Sequence, residues 1–492
     1  MSAPAAPSPS GGLNAIRQYF RDFKILKDNP REYWGMQLIN ILDSTGYFAM
    51  LTVVTLFLSG DVGLDDQDAG TVVTFFTAAI TIMLLFTGPI TDWLGIRWSI
   101  NAALITRAAA TVGIGVLALG PDFDGRGWIV GGLFLAMAPT LAMMQTVFQV
   151  TNKRFTSKRS RSSGFNLWYL FMNVGAMLSG FAVQWLRSPR PGATDLSDEA
   201  AYTSTWVILL GVATSAVCLV LSWFLVRREH QVYGPDETPE ENAEAHRLAA
   251  AKAKDKNPLA NVRALLHQPQ FWRFLVLLTA TLGVRAVFVH IYMLMPKYWV
   301  RVIGPDADIG LFNVINPALI VVGVVLFIPI AHRFNLFKML VFGSVISALS
   351  LFALVLPWNL FSADVATAYT WMTVVAMVLV SIGEVFWSPK LYEYTAAIAP
   401  EGQEGTYLGL SMMPWFMAKF AVSALSGSML VRWVPENVGE SVRAGTLSFW
   451  DSPEAMWLVL GIWAISGPIL AWFFRGWLTR GTDFAIGQPK KA

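Results

Sequence analysis

Long apolar segments separated by short polar ones run along almost the whole chain. A hydrocarbon layer of about 30 Å requires an apolar helix of about 20 residues to cross it. Twelve segments of about this length occur, and in chain order we call them spans 1 to 12: 34–58, 71–91, 98–119, 128–150, 163–186, 205–226, 270–296, 309–331, 338–357, 368–396, 406–431 and 454–474. They make up more than half of the chain, which predicts an all-α polytopic membrane protein with twelve transmembrane helices.

A polar stretch between spans 6 and 7 divides the spans into two sets of six. The segments "GPITDWLGIR" (88–97) and "IPIAHRFNLF" (328–337) align at an offset of 240, and each closes the second span of its set. Such weak internal symmetry is typical of a duplicated transporter, although two coincidentally similar loops are the alternative interpretation. The predicted organisation is a cytoplasmic tail with an amphipathic helix (1–33), a six-helix bundle (34–226), a cytoplasmic linker (227–269), a second, pseudo-symmetric six-helix bundle (270–474) and a cytoplasmic tail (475–492).

The distribution of charge predicts the orientation of the chain in the membrane. Only 14% of the 492 residues are charged and 54% are hydrophobic. The segment before span 1 and the loop after span 4 each carry five basic residues, whereas the loop at 59–70 has four aspartates and no base. The positive-inside rule therefore places both termini in the cytoplasm. The net charge of +3 gives no indication of nucleic-acid binding.

Sequence motifs for catalysis or for metal binding are missing from the chain. There is no His/Cys/Asp metal-ligand spacing, no phosphate-binding glycine loop and no nucleophile motif with its partners. The single cysteine, Cys218, lies in span 6 and cannot form an intrachain disulfide. We therefore expect neither an enzyme nor a metal or other cofactor, and we expect that any energy for transport comes from an ion gradient.

The loop between spans 2 and 3 carries a family motif. Gly88, Asp92, Gly95 and Arg97 form the pattern G-x-x-x-D-x-x-G-x-R, which resembles the corresponding loop of the major facilitator superfamily. The glycines permit a tight turn, and an acid at a helix end can meet the positive N-terminus of a neighbouring helix. The resemblance implies a conformational latch on the cytoplasmic side. Since span 4 ends in "QVTNKRF" without an acid, Arg97 needs another partner, for which Glu401, Glu404 or a lipid phosphate are candidates.

Three further stretches resemble the proton-dependent oligopeptide transporter family. "GFNLWYLFMNVGAML" (164–178) is similar to its fifth helix, with Tyr169, Asn173 and Gly175 in register. "FNVINPALI" (312–320) is similar to its Asn-Pro element and contains Asn316, and "GEVFWSPKLYEYTAAIAP" (383–400) resembles its tenth helix and contains Glu384. The resemblance implies two rocking bundles and proton-driven uptake of peptides.

Other positions depart from that family. Its first helix carries a Glu-x-x-Glu-Arg cluster linked to proton coupling, but span 1 reads "NILDSTGYFAM" and keeps a single acid, Asp43. The position of its lysine on helix four is Met144, and the extra pair of spans between the halves of many bacterial members does not occur. The chain therefore resembles a divergent member, whose substrate need not be an ordinary dipeptide.

Ionisable residues inside the spans are the candidates for function. A charge at the bilayer centre costs roughly 2.5–3.5 kcal/mol on the most lenient scale, so each needs a partner or a hydrated cavity. We predict proton coupling by Asp43 and Glu384. The predicted substrate-binding residues are Glu384, Lys419, Tyr47, Tyr169, Asn173, Asn316, Arg285, His290 and Trp415.

Some of these residues have simpler interpretations. Snorkelling toward an interface is the alternative for Lys419, and contact with the inner headgroups is the alternative for Arg107. Packing in the core or in an interfacial belt is the alternative for Tyr47, Tyr169 and Trp415. Arg285 and His290 lie five positions apart, which separates them by about 140° on a helix, so they need not share a face.

The predicted function is proton-coupled symport of peptides or peptide-like zwitterions by alternating access. The expected partners are the substrate, protons and membrane lipid, and we expect a monomer in a plasma membrane, such as the inner membrane of a bacterium. A proton-coupled exporter of drugs or metabolites is one alternative, although span 5 lacks the Gly-Pro motif usual in antiporters. A sensor or lipid-handling protein that does not transport is the other.

Overall fold

The computed structural model of the chain describes residues 25–156, 161–190, 201–227, 269–331, 335–398 and 404–479. The predicted amphipathic helix lies almost wholly outside the described residues, as does most of the predicted linker and most of the C-terminal tail. The boundaries of these three regions therefore remain predictions.

Six long helices form the N-terminal half, and each corresponds to a predicted span. They are Arg31–Leu56, Asp66–Leu94, Ile96–Leu119, Arg126–Arg154, Arg161–Leu186 and Thr205–Leu225. A 3-10 turn, Ile25–Asp28, precedes the first helix, and a π-helical turn, Phe57–Asp61, continues it. Two short strands, Ser188–Pro189 and Tyr202–Thr203, pair antiparallel before span 6.

The helices of the C-terminal half are less regular. They are Pro269–Ala280, Leu282–Met293, Met295–Val302, Ile309–Ala331, Leu336–Ala353, Val365–Ile398, Glu404–Trp433, Val438–Arg443, Pro453–Phe473 and Arg475–Leu478, with 3-10 turns at Trp358–Leu360 and Phe449–Asp451. Span 7 was predicted as one helix, but its helix is bent by 43° at a break between Ala280 and Leu282.

The number of membrane-crossing helices can be compared with the prediction of twelve. Within the described residues, nine helices are long and apolar enough to cross a membrane, and the bent pair of span 7 counts as a tenth. The helix of span 9 is a shorter apolar helix, and the helix of span 11 is not one of the nine. The polytopic helical fold agrees with the prediction, whereas the count of twelve remains a prediction.

Close backbone contacts join the two halves at two places. Span 5 packs against span 8, and span 2 packs against span 11. A Cβ atom on Gly310 would lie 2.3 Å from the carbonyl oxygen of Gly180, and one on Gly427 would lie 2.6 Å from the carbonyl oxygen of Asp66. Glycine is therefore required for these helices to approach so closely.

Polar contacts lie beside these glycines. Arg301 Nη1 donates to Asp66 Oδ2 at 2.7 Å, and Lys297 contacts the same carboxylate. Nearby, Gln184 Nε2 donates to Asp308 Oδ1 at 2.7 Å. Each contact joins one half to the other, and in the predicted orientation they lie at the outer end of the molecule. The outer ends of the two halves are therefore held together in this structure.

Substitution of Gly310 tests this close approach. We expect Gly310→Ala to lower the free energy of unfolding by about 1–3 kcal/mol, because the added methyl group overpacks against backbone atoms of span 5. Gly132→Ala is the matched control, since a Cβ atom at that helical position would meet nothing within 4 Å. Thermal unfolding in detergent should show a lower midpoint for Gly310→Ala alone. Equal midpoints for both variants would contradict the prediction.

Candidate functional site

Glu384 lies within the helix of span 10 and is hydrogen-bonded from both halves of the molecule. The hydroxyl group of Tyr169, in span 5, donates to Glu384 Oε1 at 2.8 Å. Asn316 Nδ2, in span 8, donates to Glu384 Oε2 at 3.1 Å and also lies 3.1 Å from Ser381 Oγ. Each carboxylate oxygen thus has a donor, which reduces the cost of the acid in an apolar helix. The sequence stretches that resemble the peptide-transporter family meet at this point.

The glycine before Glu384 explains how span 10 presents the acid. A Cβ atom on Gly383 would lie 2.3 Å from Ser347 Oγ and 2.6 Å from the carbonyl oxygen of Gly343, so span 10 packs closely on span 9 there. Consecutive residues are about 100° apart around a helix. Gly383 therefore faces span 9, while Glu384 points toward spans 5 and 8.

Lys419 is buried in span 11 among aromatic side chains. It is 2% exposed, and its ammonium nitrogen is hydrogen-bonded to the hydroxyl group of Tyr47. The same nitrogen lies 5.0 Å from the ring centroids of Tyr47 and of Trp415. A snorkelling lysine would expose its ammonium group, so the burial of Lys419 contradicts that interpretation.

Arg285 is buried in the part of span 7 that follows the bend, and like Lys419 it contacts Trp415. Its guanidinium carbon lies 5.1 Å from the ring centroid of Trp387 and 5.7 Å from that of Trp415. Within the described residues its Nε and Nη2 atoms have no hydrogen-bond partner. Arg285 is also close enough to Glu384 to act on it electrostatically. Trp415 therefore lies beside two cations, one of which is near the acid.

Asp43 is paired inside the N-terminal half. Arg107 Nη2, in span 3, lies 2.5 Å from Asp43 Oδ1, and the two side chains are 6% and 5% exposed. Arg107 Nε also donates to Ser215 Oγ, in span 6, at 3.0 Å. The interpretation of Arg107 as a headgroup contact is therefore wrong, because the ion pair holds it between spans 1, 3 and 6. Asp43 lies one helical turn from Tyr47 and so remains close to Lys419.

Other predicted site residues have different surroundings. Asn173 Nδ2 donates to the carbonyl oxygen of Tyr169 in its own helix at 2.9 Å, which fixes the turn that carries the Tyr169 side chain. His290 packs edge-on against Trp457 with ring centroids 6.3 Å apart, and within the described residues neither of its ring nitrogens has a partner. A contact of either residue with substrate therefore remains a prediction that these side-chain contacts do not support.

The predicted cytoplasmic latch is described only in part. Gly95 has a φ of 77°, which suits glycine at the tight turn between spans 2 and 3. Arg97 Nη2 donates to the carbonyl oxygen of Trp223 at 3.1 Å, and its guanidinium stacks 4.4 Å from the Trp223 ring centroid. The side chain of Asp92, Gly88 and residue 401 lie outside what the structure describes, so the latch remains a prediction.

One pairing and two functional candidates were not predicted from the sequence. Arg107 was recognised as an ionisable residue inside a span, but its pairing with Asp43 was not predicted, although the rule that an intramembrane charge needs a partner could have suggested it. Trp387 holds Arg285, and its position three residues after Glu384 was a usable signal. Tyr292 lies within electrostatic range of both Glu384 and Tyr47, and no sequence motif indicated it. Among the described residues there is no group of three side chains that could ligate a metal ion.

The Asp43–Arg107 pair can be tested by a double-mutant cycle. We expect Asp43→Asn to lower the free energy of unfolding by about 3–5 kcal/mol, because it leaves the buried guanidinium without a countercharge. The double variant Asp43→Asn/Arg107→Gln should recover much of this loss. Chemical unfolding in detergent measures the single variants Asp43→Asn and Arg107→Gln and the double variant. If the loss of unfolding free energy in the double variant equals the sum of the two single losses, the prediction is contradicted. As a control, the cycle on the exposed pair Arg432–Asp451, at 2.8 Å, should show a coupling below about 1 kcal/mol.

Several known transporters are similar to this chain. Dipeptide and tripeptide permease A of Klebsiella pneumoniae (strain 342) is 21% identical over 490 residues, which cover 88% of each chain. A permease of the same name from Escherichia coli (strain K12) is 21% identical over 187 residues, or 37% of this chain and 33% of the permease.

Solved structures show the same fold. A POT family transporter in complex with 5-aminolevulinic acid has a TM-score of 0.66 at 14% identity, over 92% of this chain and 97% of the other. A D-xylose-proton symporter has a TM-score of 0.62 at 14% identity, over 90% and 97% of the two chains. The predicted fold and the resemblance to peptide transporters are thereby confirmed. The family model described as Major Facilitator Superfamily matches residues 36–423, and this chain therefore belongs to the Major Facilitator Superfamily.

Proposed function

We propose that this protein is a proton-coupled symporter that takes up peptides or peptide-like zwitterions by alternating access. The observation that carries the proposal is the arrangement around Glu384, where an acid bonded from both halves lies near the buried cation Arg285, which contacts Trp415 together with a second buried cation, Lys419. An acid and a base inside one membrane domain are complementary to a zwitterion. The named permeases of dipeptides and tripeptides support the same substrate class.

In this proposal Glu384 binds the amino group of the substrate. Lys419 or Arg285 binds its carboxylate group, because both cations lie beside Trp415. Tyr169 and Asn316 orient the acid and then donate hydrogen bonds to the substrate backbone when the amine engages Glu384. Tyr47 and Trp415 form apolar walls, which leaves few positions for competing water.

Proton coupling follows from the hydrogen bond between Tyr169 and Glu384. A hydrogen bond to a carboxylate is about twice as strong as one to a neutral acceptor, so protonation of Glu384 weakens the contact between spans 5 and 10. These spans belong to different halves, and a proton therefore favours their separation. Proton entry driven by the membrane potential supplies about 2.3 kcal/mol per 100 mV. Asp43 is the second predicted proton site, and its protonation would weaken the Asp43–Arg107 pair.

The halves then rock around this site. The outer contacts of Asp66 with Lys297 and Arg301 stabilise the state in which the outer side is closed. They separate when the site opens to the outer side. The latch predicted at Gly88, Asp92, Gly95 and Arg97 forms at the opposite end in that second state. We place the protein as a monomer in the inner membrane of a bacterium, with both termini in the cytoplasm and the proton gradient as its only driving force.

Uptake into proteoliposomes tests the function. With the inside alkaline, the wild-type protein should accumulate alanyl-alanine against its gradient, and Glu384→Gln should abolish this accumulation, because a glutamine cannot carry the proton. Glu440→Gln, at an exposed position in the short helix Val438–Arg443, is the matched control and should accumulate the peptide normally.

Other results would favour the alternative functions. Substrate movement only against the opposite pH gradient would indicate an exporter. No movement of any dipeptide or tripeptide, together with thermal stabilisation of the purified protein by lipids alone, would indicate a sensor or lipid-handling protein. Unchanged accumulation by Glu384→Gln would overturn the role of this acid in coupling.

A further inference from the structure

A groove opens on the outer surface of the N-terminal half, between spans 3 and 6, and we call it the span 3–6 groove. Its volume is about 330 Å³, and most of its lining is apolar, including Trp98, Ile105, Val220 and Trp223. The side chains of Trp98 and Trp223 are 54% and 55% exposed. Since span 3 begins and span 6 ends at the cytoplasmic side in the predicted orientation, the groove lies in the inner leaflet of the membrane. Tryptophan is common at this membrane–water interface.

Arg97 places a cation at the inner end of this groove. Its guanidinium carbon lies 4.4 Å from the ring centroid of Trp223, and its Nη2 atom donates to the carbonyl oxygen of Trp223 at 3.1 Å. Both contacts hold the guanidinium against a residue that lines the groove. Among the described side chains no carboxylate pairs with Arg97. A guanidinium that makes this one hydrogen bond has further N–H donors, so the groove ends at a positioned cation that can bind an anion.

Asn101 adds a neutral polar group one helical turn deeper in the membrane. It lines the groove and is 3% exposed. Its Oδ1 atom accepts a hydrogen bond from Ser222 Oγ, in span 6, at 2.6 Å, so its amide nitrogen is the group that remains to donate to a ligand. Ile105 follows after another turn, and four residues advance a helix by about 6 Å along nearly the same face. From the inner surface toward the bilayer centre, the groove therefore presents a cation, a neutral amide and then apolar side chains.

We propose that the span 3–6 groove binds one anionic phospholipid of the inner leaflet. The order of groups along the groove matches such a lipid from its headgroup to its tail. The phosphate group pairs with Arg97, the ester region accepts a hydrogen bond from Asn101, and an acyl chain packs on Ile105 and Val220. This lipid site is separate from the transport site around Glu384, and it does not depend on which substrate is transported.

Both the charge and the apolar walls of the groove are needed for this match. A free phosphate ion would pair with Arg97 but would leave the apolar walls uncovered, and a purely apolar ligand would leave the guanidinium without a countercharge. Arginine can bind two oxygens of a phosphate at once, and the contact with Trp223 fixes the guanidinium before the lipid arrives, which lowers the entropic cost of binding. A zwitterionic headgroup carries the same phosphate, but its cationic group offsets the charge. An anionic headgroup therefore binds more tightly.

Native mass spectrometry of the purified full chain tests the charge selectivity of the site. The protein is titrated in detergent with phosphatidylglycerol or with phosphatidylcholine of the same acyl chains. For the first bound lipid, the dissociation constant of phosphatidylglycerol should be about fivefold lower, the effect expected of one basic residue near an anionic lipid. Arg97→Gln should bring this ratio close to one, whereas Arg97→Lys, which keeps the charge, should retain part of it. Arg31→Gln, at an exposed arginine of the same end of the molecule, is the control and should keep the wild-type ratio.

A second variant tests the apolar part of the groove and also serves if Arg97→Gln does not fold. Ile105→Trp fills the groove and should weaken the binding of the first lipid for both headgroups. Val116→Trp adds the same bulk at a 66% exposed position of the same helix, outside the groove, and should bind both lipids as the wild-type protein does. Equal binding of the two lipids by the wild-type protein, an unchanged ratio in Arg97→Gln, or unchanged binding by Ile105→Trp would each overturn the inference, and none of these results bears on peptide transport.

Discussion

A charged side chain surrounded by apolar helices must find a partner, and the organisation of this molecule follows from where each charge finds it. Asp43 is partnered by Arg107, and both belong to the N-terminal half. Glu384 is partnered by a tyrosine of one half and an asparagine of the other. The first arrangement lies within one half, so in the proposed mechanism it moves together with that half. The second spans the boundary between the halves, and for this reason we propose Glu384 as the main acid whose protonation is coupled to conformation.

The outer end of the boundary between the halves and the site around Glu384 differ in how they are built. At the end that carries Asp66, glycines bring backbones into contact, and buried ionic contacts from Lys297 and Arg301 lie beside them. Backbone packing of this kind is either intact or separated, because close-packed atoms leave no room for small displacements. The site around Glu384 needs no such closeness, since its contacts are long side chains. Rocking that separates the glycines can therefore occur while the side chains at the site adjust by rotation.

Sequence patterns predicted this arrangement unevenly. The spans and the meeting of Glu384 with Tyr169 and Asn316 were accessible, because apolar length and three short motifs carry that information. The pairing of Asp43 with Arg107 was missed, since nothing in a single sequence says which helices of a bundle are neighbours. The bend in span 7 has no proline or glycine pair to mark it, as the break falls at Thr281. Arg285 and His290 both lie after this bend, and they contact different tryptophans because five residues separate them by about 140° around the helix.

The fold alone does not determine what is carried, because the D-xylose-proton symporter and the POT family transporter match this chain about equally well. The charged residues near the site must therefore determine which substrate is carried. In the resembled peptide transporters, acids and a base cluster on the first helix and a lysine lies on the fourth, whereas here the two buried bases that contact Trp415 lie on spans 7 and 11 of the C-terminal half. The acid proposed to bind the amine lies in that same half. In the proposed mechanism the C-terminal half holds both ends of the substrate, and the N-terminal half contributes neutral donors such as Tyr169. The substrate then stays bound to the C-terminal half while the N-terminal half moves. Its release therefore depends on the hydrogen bonds that cross the boundary, and not on the separation of two charged groups in different halves.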